Sequence, residues 1–238
     1  MSSGIAVWPS RLALLSSMAI VAAGSLCALS PAYAAGGAHI VEDSEVEEAG
    51  RCHLDTWVSR QRRHDGGLTL SPACTPAAIP DLELSATVQR NWGTGQDTLA
   101  GPGFKYNLLP ADRGVGLAIT GGGVWRTQDG HLGNAALVVP LTLPLNDDLR
   151  VHLNAGWNYT DDRGRRNQTF VGAQVEYALT KQVSLMAEVF DRDGDPMGSQ
   201  AGLRWTPGGG DVDVDLLYGR RLDSGTPRTL TLGVTLRF

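Results

Sequence analysis

Apolar and polar residues alternate with a period of two over most of the chain. The clearest run places apolar residues on one face and polar or small residues between them: Leu149, Val151, Leu153, Ala155, Trp157 and Tyr159. Successive side chains of a β-strand point to opposite faces, so this pattern predicts strands with one apolar and one polar side. Helical spacing of apolar residues is not sustained beyond the N-terminal segment, and 30 glycines argue further against helices.

The alternation, interrupted by clusters of turn residues, divides the chain into twelve predicted strands, with about ten to fourteen as the range that uncertain boundaries allow. The predicted strands span 51–60, 67–74, 82–92, 98–108, 114–126, 134–143, 148–160, 168–179, 182–191, 199–206, 211–221 and 228–238. A soluble sandwich would turn their apolar faces inward, whereas an outer-membrane barrel would turn them toward lipid.

The last strand decides between these two architectures. Its apolar row ends on the final residue of the sequence, Phe238, and Thr231, Gly233 and Leu236 precede it at set positions. This ending resembles the C-terminal signal of bacterial outer-membrane barrels. A closed barrel is also the sheet that leaves no unpaired edge in hydrocarbon. We therefore predict an all-β fold, an antiparallel transmembrane β-barrel that occupies residues 51–238.

The N-terminal segment has the pattern of an export signal. One base precedes a largely apolar run over 12–29, and Ala32 and Ala34 supply the small residues of a cleavage site. We predict a cleaved signal peptide over 1–34. The following stretch, 35–50, is acidic and rich in small residues, which predicts a flexible periplasmic lead-in to the barrel.

Two cysteines remain after Cys27 is removed with the signal. Cys52 opens the first predicted strand and Cys74 closes the second, so both lie at the same end of one hairpin. In an oxidising compartment such a pair predicts a disulfide. A metal site is the alternative, but neighbouring histidines at ligand spacing are missing. We expect no metal and no cofactor.

An even number of strands places both termini on the periplasmic side of the outer membrane of a Gram-negative bacterium. The short connections then face the periplasm and the longer, more charged ones face outward. The net charge of −5 supplies no excess of bases for nucleic acid. We expect contact with outer-membrane lipid, with small solutes and, through the C-terminal strand, with the barrel-assembly machinery. The lipid-facing rows have no obvious polar interface, which favours a monomer.

The chain resembles the outer-membrane β-barrel family that is named for the meta-pathway of phenol degradation. The resemblance covers about residues 50–238 and depends on the order of short motifs: Gly50–Trp57, Leu82–Ala86, Gly103–Tyr106, Leu153–Trp157, Glu188–Phe190 and Asp215–Arg220. It implies a porin-like or transporter-like barrel more than a particular substrate.

The polar faces of the strands predict the lining of the lumen. We expect these charged or imidazole side chains there: Asp55, Glu83, Lys105, Arg150, His152, Glu176, Glu188, Arg204, Asp213 and Asp215. Structural ion pairing across the wall is the competing interpretation for each of them.

We predict a barrel for passive or facilitated passage of small solutes, with small organic or aromatic compounds among the candidates. We predict no enzyme and no catalytic residue, because His53 and His152 have no serine beside them in a recognisable motif. The alternative is an occluded barrel that acts as a lipid-modifying enzyme or as a structural outer-membrane protein.

Overall fold

The computed structural model describes residues 38–61, 64–93, 95–161, 166–194, 196–220 and 228–238. The chain divides into residues 1–30 and residues 31–238, and every described element belongs to the second unit. The predicted signal peptide, with Cys27, lies outside the described residues.

Twelve β-strands form within the described residues, which confirms the predicted number. Their bounds are β1 Cys52–Arg60, β2 Gly66–Cys74, β3 Leu82–Trp92, β4 Thr98–Leu109, β5 Gly116–Arg126, β6 Leu132–Pro144, β7 Leu149–Thr160, β8 Asn167–Ala178, β9 Val183–Arg192, β10 Gly198–Trp205, β11 Val212–Arg220 and β12 Thr229–Arg237. A short 3-10 helix, Ala111–Arg113, lies between β4 and β5.

The strands form a closed antiparallel barrel. Each strand pairs with its neighbours in sequence, and β1 pairs with β12 from His53 opposite Arg237 to Arg60 opposite Leu230. Phe238 extends this closure, because its backbone exchanges two hydrogen bonds with Cys52. We call the end where β1 begins and β12 finishes the terminal end, and the other the opposite end.

The barrel has its apolar residues outside and its polar residues inside. Large apolar side chains such as Val88, Leu203 and Leu216 are exposed on the outer face, whereas the inward positions between them are mostly polar and buried. Such an apolar outer surface is unfavourable in water but favourable in the hydrocarbon core of a bilayer. The strand alternation therefore produces the surface of a membrane barrel.

None of the helices in the described ranges is long and apolar enough to cross a membrane.

The predicted disulfide between Cys52 and Cys74 is confirmed. The two residues lie directly opposite each other at the start of β1 and the end of β2. They close a loop with a sequence separation of 22 residues. Loop closure of this length stabilises a fold by about 3 kcal/mol in the chain-entropy account. The disulfide therefore strengthens the hairpin at the terminal end.

Leu216 lies at the centre of β11 and is 51% exposed on the outer face. We expect Leu216→Arg to lower the free energy of unfolding in lipid vesicles by about 2–4 kcal/mol, because it places a charge in hydrocarbon. Leu216→Phe, which keeps the site apolar, is the control and should change stability little. Equal stability of the arginine variant and the wild type in vesicles would contradict the membrane-facing assignment of this surface.

Candidate functional site

Residues 38–50 lie inside the barrel, and we call them the plug. The segment begins near Gln200 and Gly233 in the wall and leaves the lumen at the terminal end through Gly50, whose φ is 87°. Ala38, Val41, Asp43 and Ser44 are buried almost completely. A flexible lead-in was expected over 35–50. The described part of that segment differs, because it is held within the lumen.

The backbone of the plug bonds to side chains of the wall. Val41 N donates to Glu188 Oε2 at 2.9 Å, and Glu42 N donates to Asn154 Oδ1 at 2.8 Å. Ser44 N donates to Thr142 Oγ1 at 3.0 Å. Buried amide hydrogens need such partners, since an unmade hydrogen bond there costs about 1–3 kcal/mol. The polar lumen wall therefore fits an extended peptide.

Glu188 is the central acceptor of this arrangement. Its carboxylate also accepts from Ile40 N at 3.2 Å and from the amide nitrogens of Gln174 and Gln200 in the wall. All three wall side chains are buried. The wall amides thereby orient the carboxylate toward the plug backbone.

Val41 packs into a small apolar cluster on the inner face. Its neighbours are Val138 of β6, Phe170 of β8 and Phe190 of β9, and all four side chains are buried. A Cβ at Gly172 would lie 2.8 Å from Val41 Cγ2, so glycine at this wall position makes room for the valine. Burying a valine side chain contributes about 2 kcal/mol.

Wall cations contact the acids of the plug. Lys105 Nζ lies 3.1 Å from Glu42 and 3.2 Å from Asp43. Arg150 lies 2.6 Å from Glu45. Arg237 follows the same pattern, with Nε 2.8 Å from Glu47 Oε1. These pairs place plug acids beside wall bases and fix the register of the plug in the lumen.

Other wall charges pair with one another. Arg204 is 1% exposed and holds Asp215 through two hydrogen bonds of 2.7 and 2.9 Å. Arg237 Nη2 donates to Asp213 at 2.8 Å, in addition to its contact with the plug. The two aspartates of β11 therefore face cations and are not free acids on an open wall.

The residues predicted to line the lumen all lie on the inner face of the barrel. Nine of them are buried: Asp55, Glu83, His152, Glu176, Glu188, Lys105, Arg204, Asp213 and Asp215. Arg150, the tenth, is half-buried. Of these, Glu83, Lys105, Arg150 and Glu188 contact the plug. The ion pairing that the sequence left open is present, and much of it joins the plug to the wall.

Sequence reasoning missed several residues of this site. Asn154 and Thr142 bind the plug backbone, Arg237 binds Glu47, and Phe170 and Phe190 receive Val41. A signal was present for the aromatic pair, because Phe170 shares the inner face of β8 with Gln168 and Gln174, and Phe190 follows Glu188 on the inner face of β9. Large apolar side chains on the polar face indicate an apolar partner within the lumen.

The residues of the C-terminal signal take different positions. Thr231 and Gly233 face the lumen, where Thr231 bonds to Ser59 and Gly233 approaches Ala38. Leu236 is exposed on the outer face, and Phe238 lies at the terminal end.

In the lumen a hydroxyl, an imidazole and a carboxylate lie next to one another in a row. Thr142 Oγ1 lies 3.1 Å from His152 Nδ1, and His152 Nε2 lies 3.5 Å from Glu176. This resembles the order of groups in a nucleophilic triad. However, His152 is fully buried, and the Thr142 hydroxyl accepts from the plug backbone. In this structure the Thr142 hydroxyl therefore contacts the plug.

No group of His, Cys, Asp or Glu side chains in the described part of the chain could hold a metal ion.

A cavity of about 1270 Å³ lies in the lumen toward the opposite end, mainly beside β3 to β8. We call it the vestibule. Its floor is formed by His39, Ile40 and Glu42 of the plug, and its wall includes Gln89 and Asn158. The plug therefore lies between the vestibule and the terminal end of the barrel, and a smaller cavity of about 200 Å³ lies beside it.

Burial inside the lumen alters the ionisation of the plug acids. Burial, reinforced by Asp43 and opposed by Arg150, raises the pKa of Glu45 to about 7. Burial also raises the pKa of Glu42, against the effect of Lys105. Burial by itself would raise the pKa of Glu47, but hydrogen bonding to His53 and the charge of Arg237 outweigh this effect and lower the pKa. The plug thus carries two acids that bind protons more tightly when docked.

The fold and the lumen together define a plugged, porin-like β-barrel. Residues 24–238 match the model of the family described as Uncharacterised conserved protein UCP029691, and the chain belongs to that family. That description does not mention phenol degradation, so the motif resemblance to the family named for it remains a hypothesis. No curated protein matches the sequence.

Three solved structures are similar in fold. The KdgM porin in complex with disordered oligogalacturonate has a TM-score of 0.62 and 14% identity, covering 78% of this chain and 99% of that one. The NanC porin has a TM-score of 0.57 and 11% identity, covering 78% and 98%. The COG4313 outer membrane channel from Pseudomonas putida F1 has a TM-score of 0.57 and 15% identity, covering 82% and 98%.

The raised pKa of Glu45 predicts pH-dependent docking. A docked plug that holds protons more tightly than a released one is favoured at low pH, and that advantage is lost as pH rises from about 4.5 to about 7. Asp43, Arg150 and Glu176 are the charged groups that face Glu45. A nitroxide on Ala49→Cys, an exposed plug position, should become more mobile between pH 5 and pH 8 in its electron paramagnetic resonance spectrum.

Glu45→Gln is the control for this experiment, because it removes the titrating group and keeps the shape. Its spectrum should change much less over the same range. An equal pH response in the glutamine variant and the parent would show that Glu45 is not the group responsible.

Proposed function

We propose that the protein is an outer-membrane channel for small solutes, closed in the structure by its own plug. The observation that carries the proposal is the way in which the vestibule ends on residues 38–50. These residues are held by side-chain hydrogen bonds, ion pairs and one apolar contact. Such contacts can break and reform, so an open state needs movement of the plug but no change in the barrel.

The charge of the lumen supports a removable closure. Three wall cations, Lys105, Arg150 and Arg237, contact acids of the plug. Release of the plug would expose these cations and the wall carboxylates to water, in which charges are well solvated. The lumen would then be a hydrated passage with both signs of charge on its wall.

The proposal includes the place of the protein in the cell. The predicted signal peptide over 1–34 would deliver the chain to the periplasm, and the C-terminal strand would engage the barrel-assembly machinery. An even strand number puts both termini, and hence the plug's exit, on the periplasmic side. The vestibule would then open toward the outside of the cell. The barrel would be a monomer surrounded by lipid.

We propose a transport role without catalysis. The His152 arrangement is the strongest candidate for chemistry among the described residues, and it is occupied in binding the plug. The resemblance to the phenol-degradation family adds small organic or aromatic compounds to the candidate solutes, and it does so from motifs alone.

Val41→Asp tests the proposal most simply. It places a carboxylate against Phe170 and Phe190, where an unpaired charge costs several kcal/mol, and should release the plug without altering any strand. We expect discrete single-channel steps in a planar bilayer. If the substitution weakens docking of the plug by about 3 kcal/mol, the open probability rises about a hundredfold over the wild type.

Ala49→Asp is the matched control, since it adds the same group at an exposed plug position and should leave the channel closed. Gly172→Leu approaches the same contact from the wall and should open the channel as Val41→Asp does. Circular dichroism would verify that each barrel is folded. Folded Val41→Asp and Gly172→Leu barrels that both stay silent would refute the channel.

A further inference from the structure

The charges inside the barrel are unevenly distributed along its axis. The buried cations Lys105, Arg204 and Arg237 and most buried carboxylates lie beside the plug, while a band of the vestibule wall carries uncharged hydrogen-bonding side chains. This band consists of Thr87, Gln89, Thr120, Asn134, Asn158 and Thr160. Hydroxyl and amide groups both donate and accept hydrogen bonds, which suits ligands that do the same.

Two of the amides in this part of the wall are held in fixed orientations. Asn91 Nδ2 donates to Asp97 at 2.7 Å, and Gln89 Nε2 donates to Asn91 Oδ1 at 2.9 Å. The chain of bonds fixes the Gln89 amide on the vestibule side of β3. Polar groups that are oriented in advance lose less entropy when a ligand binds.

Thr160 lies across several strands from Gln89 and has a buried hydroxyl without a hydrogen-bond partner among the described residues. The residue is 7% exposed and lines the vestibule. Buried polar atoms in folded proteins almost always have a partner. The unpaired hydroxyl makes Thr160 a candidate contact for a polar ligand in the vestibule.

The charges that do line the vestibule disfavour an anion. Four are acidic, Glu42, Asp65, Asp97 and Asp129, and two are arginines. One of these, Arg126, already lies 3.1 Å from Asp161 and 3.9 Å from Asp97. Glu42 is likewise paired with Lys105 at 3.1 Å, so the described lining offers no unpaired cation to an acidic solute.

We propose that the vestibule is a binding site for an uncharged, hydroxyl-rich solute of the saccharide type. The cavity, at about 1270 Å³, exceeds the size of a typical small-molecule site. The amides and hydroxyls of the band are suited to bind the oxygens of a sugar. The inference names the solute class of the proposed channel, but binding itself requires only the closed form.

Saturation-transfer NMR on the full protein in lipid nanodiscs tests the proposal, since nanodiscs avoid sugar-based detergents. The probes are sucrose and raffinose, which are uncharged, with galacturonate as the anion and glucosamine as the cation. We expect saturable transfer to the uncharged sugars and weaker transfer to both charged ones.

Variants of the wall distinguish a specific binding site from non-specific contact of sugars with the hydrated wall. Thr160→Val removes one hydroxyl at constant shape and should weaken uncharged-sugar binding about five- to tenfold. Thr56→Val, on the outer face of β1, makes the same change away from the lumen and should have no effect. Asn158→Lys adds a cation to the band and should shift the preference toward galacturonate.

Stronger transfer to galacturonate or glucosamine than to sucrose and raffinose would overturn the proposal. So would the absence of saturable transfer from every probe to the folded wild type. Conductance of Val41→Asp distinguishes the two claims: an open channel without sugar binding contradicts this inference alone, and sugar binding by a barrel that never conducts contradicts the channel alone.

Discussion

A closed barrel has no free strand edge, and this constraint determines what its lumen must contain. Every strand backbone is already paired around the ring, so a peptide inside the barrel finds no ladder to join. Its amide hydrogens must bond to side chains that point inward. Glu188, Asn154 and Thr142 supply these acceptors for the plug. The wall composition and the plug conformation therefore depend on one another.

The same dependence extends to charge. A buried carboxylate needs a cation or several donors, and the plug brings four acids into the lumen, at 42, 43, 45 and 47. Lys105, Arg150 and Arg237 each contact at least one of them. In the structure these wall bases are engaged by the acids of the plug.

The lumen is consequently divided into two zones with different chemistry. The zone beside the plug is charged and internally paired, as Arg204 with Asp215 illustrates. The vestibule above it has an uncharged band that includes Gln89 and Asn158, with carboxylates and arginines nearer the rim.

The strands were predictable from the sequence because the alternation of period two reports directly which side of a strand meets lipid. The predicted strand 148–160 differs from β7, Leu149–Thr160, by one residue at its start. The same alternation also predicted that Arg204 and Asp213 face the lumen. Local pattern was sufficient wherever one face of a strand had to be apolar.

The plug was not predictable in the same way, because its partners are distant in the sequence. Val41 and Glu188 are separated by 147 residues, and nothing in the acidic run 42–48 distinguishes a solvated tail from a segment with matching wall cations. Phe170 and Phe190 were the available clue. Their inward position signals an apolar partner in the lumen but does not identify Val41.

The central claim is that residues 38–50 are docked inside the barrel in the membrane. Hydrogen exchange of the plug amides in the wild-type protein, measured by mass spectrometry in lipid nanodiscs, tests it most directly. The account predicts strong protection of Val41, Glu42, Ser44 and Glu47, whose amides bond to the wall. Exchange of these amides at the rate of an unstructured peptide, while the strands stay protected, would contradict it.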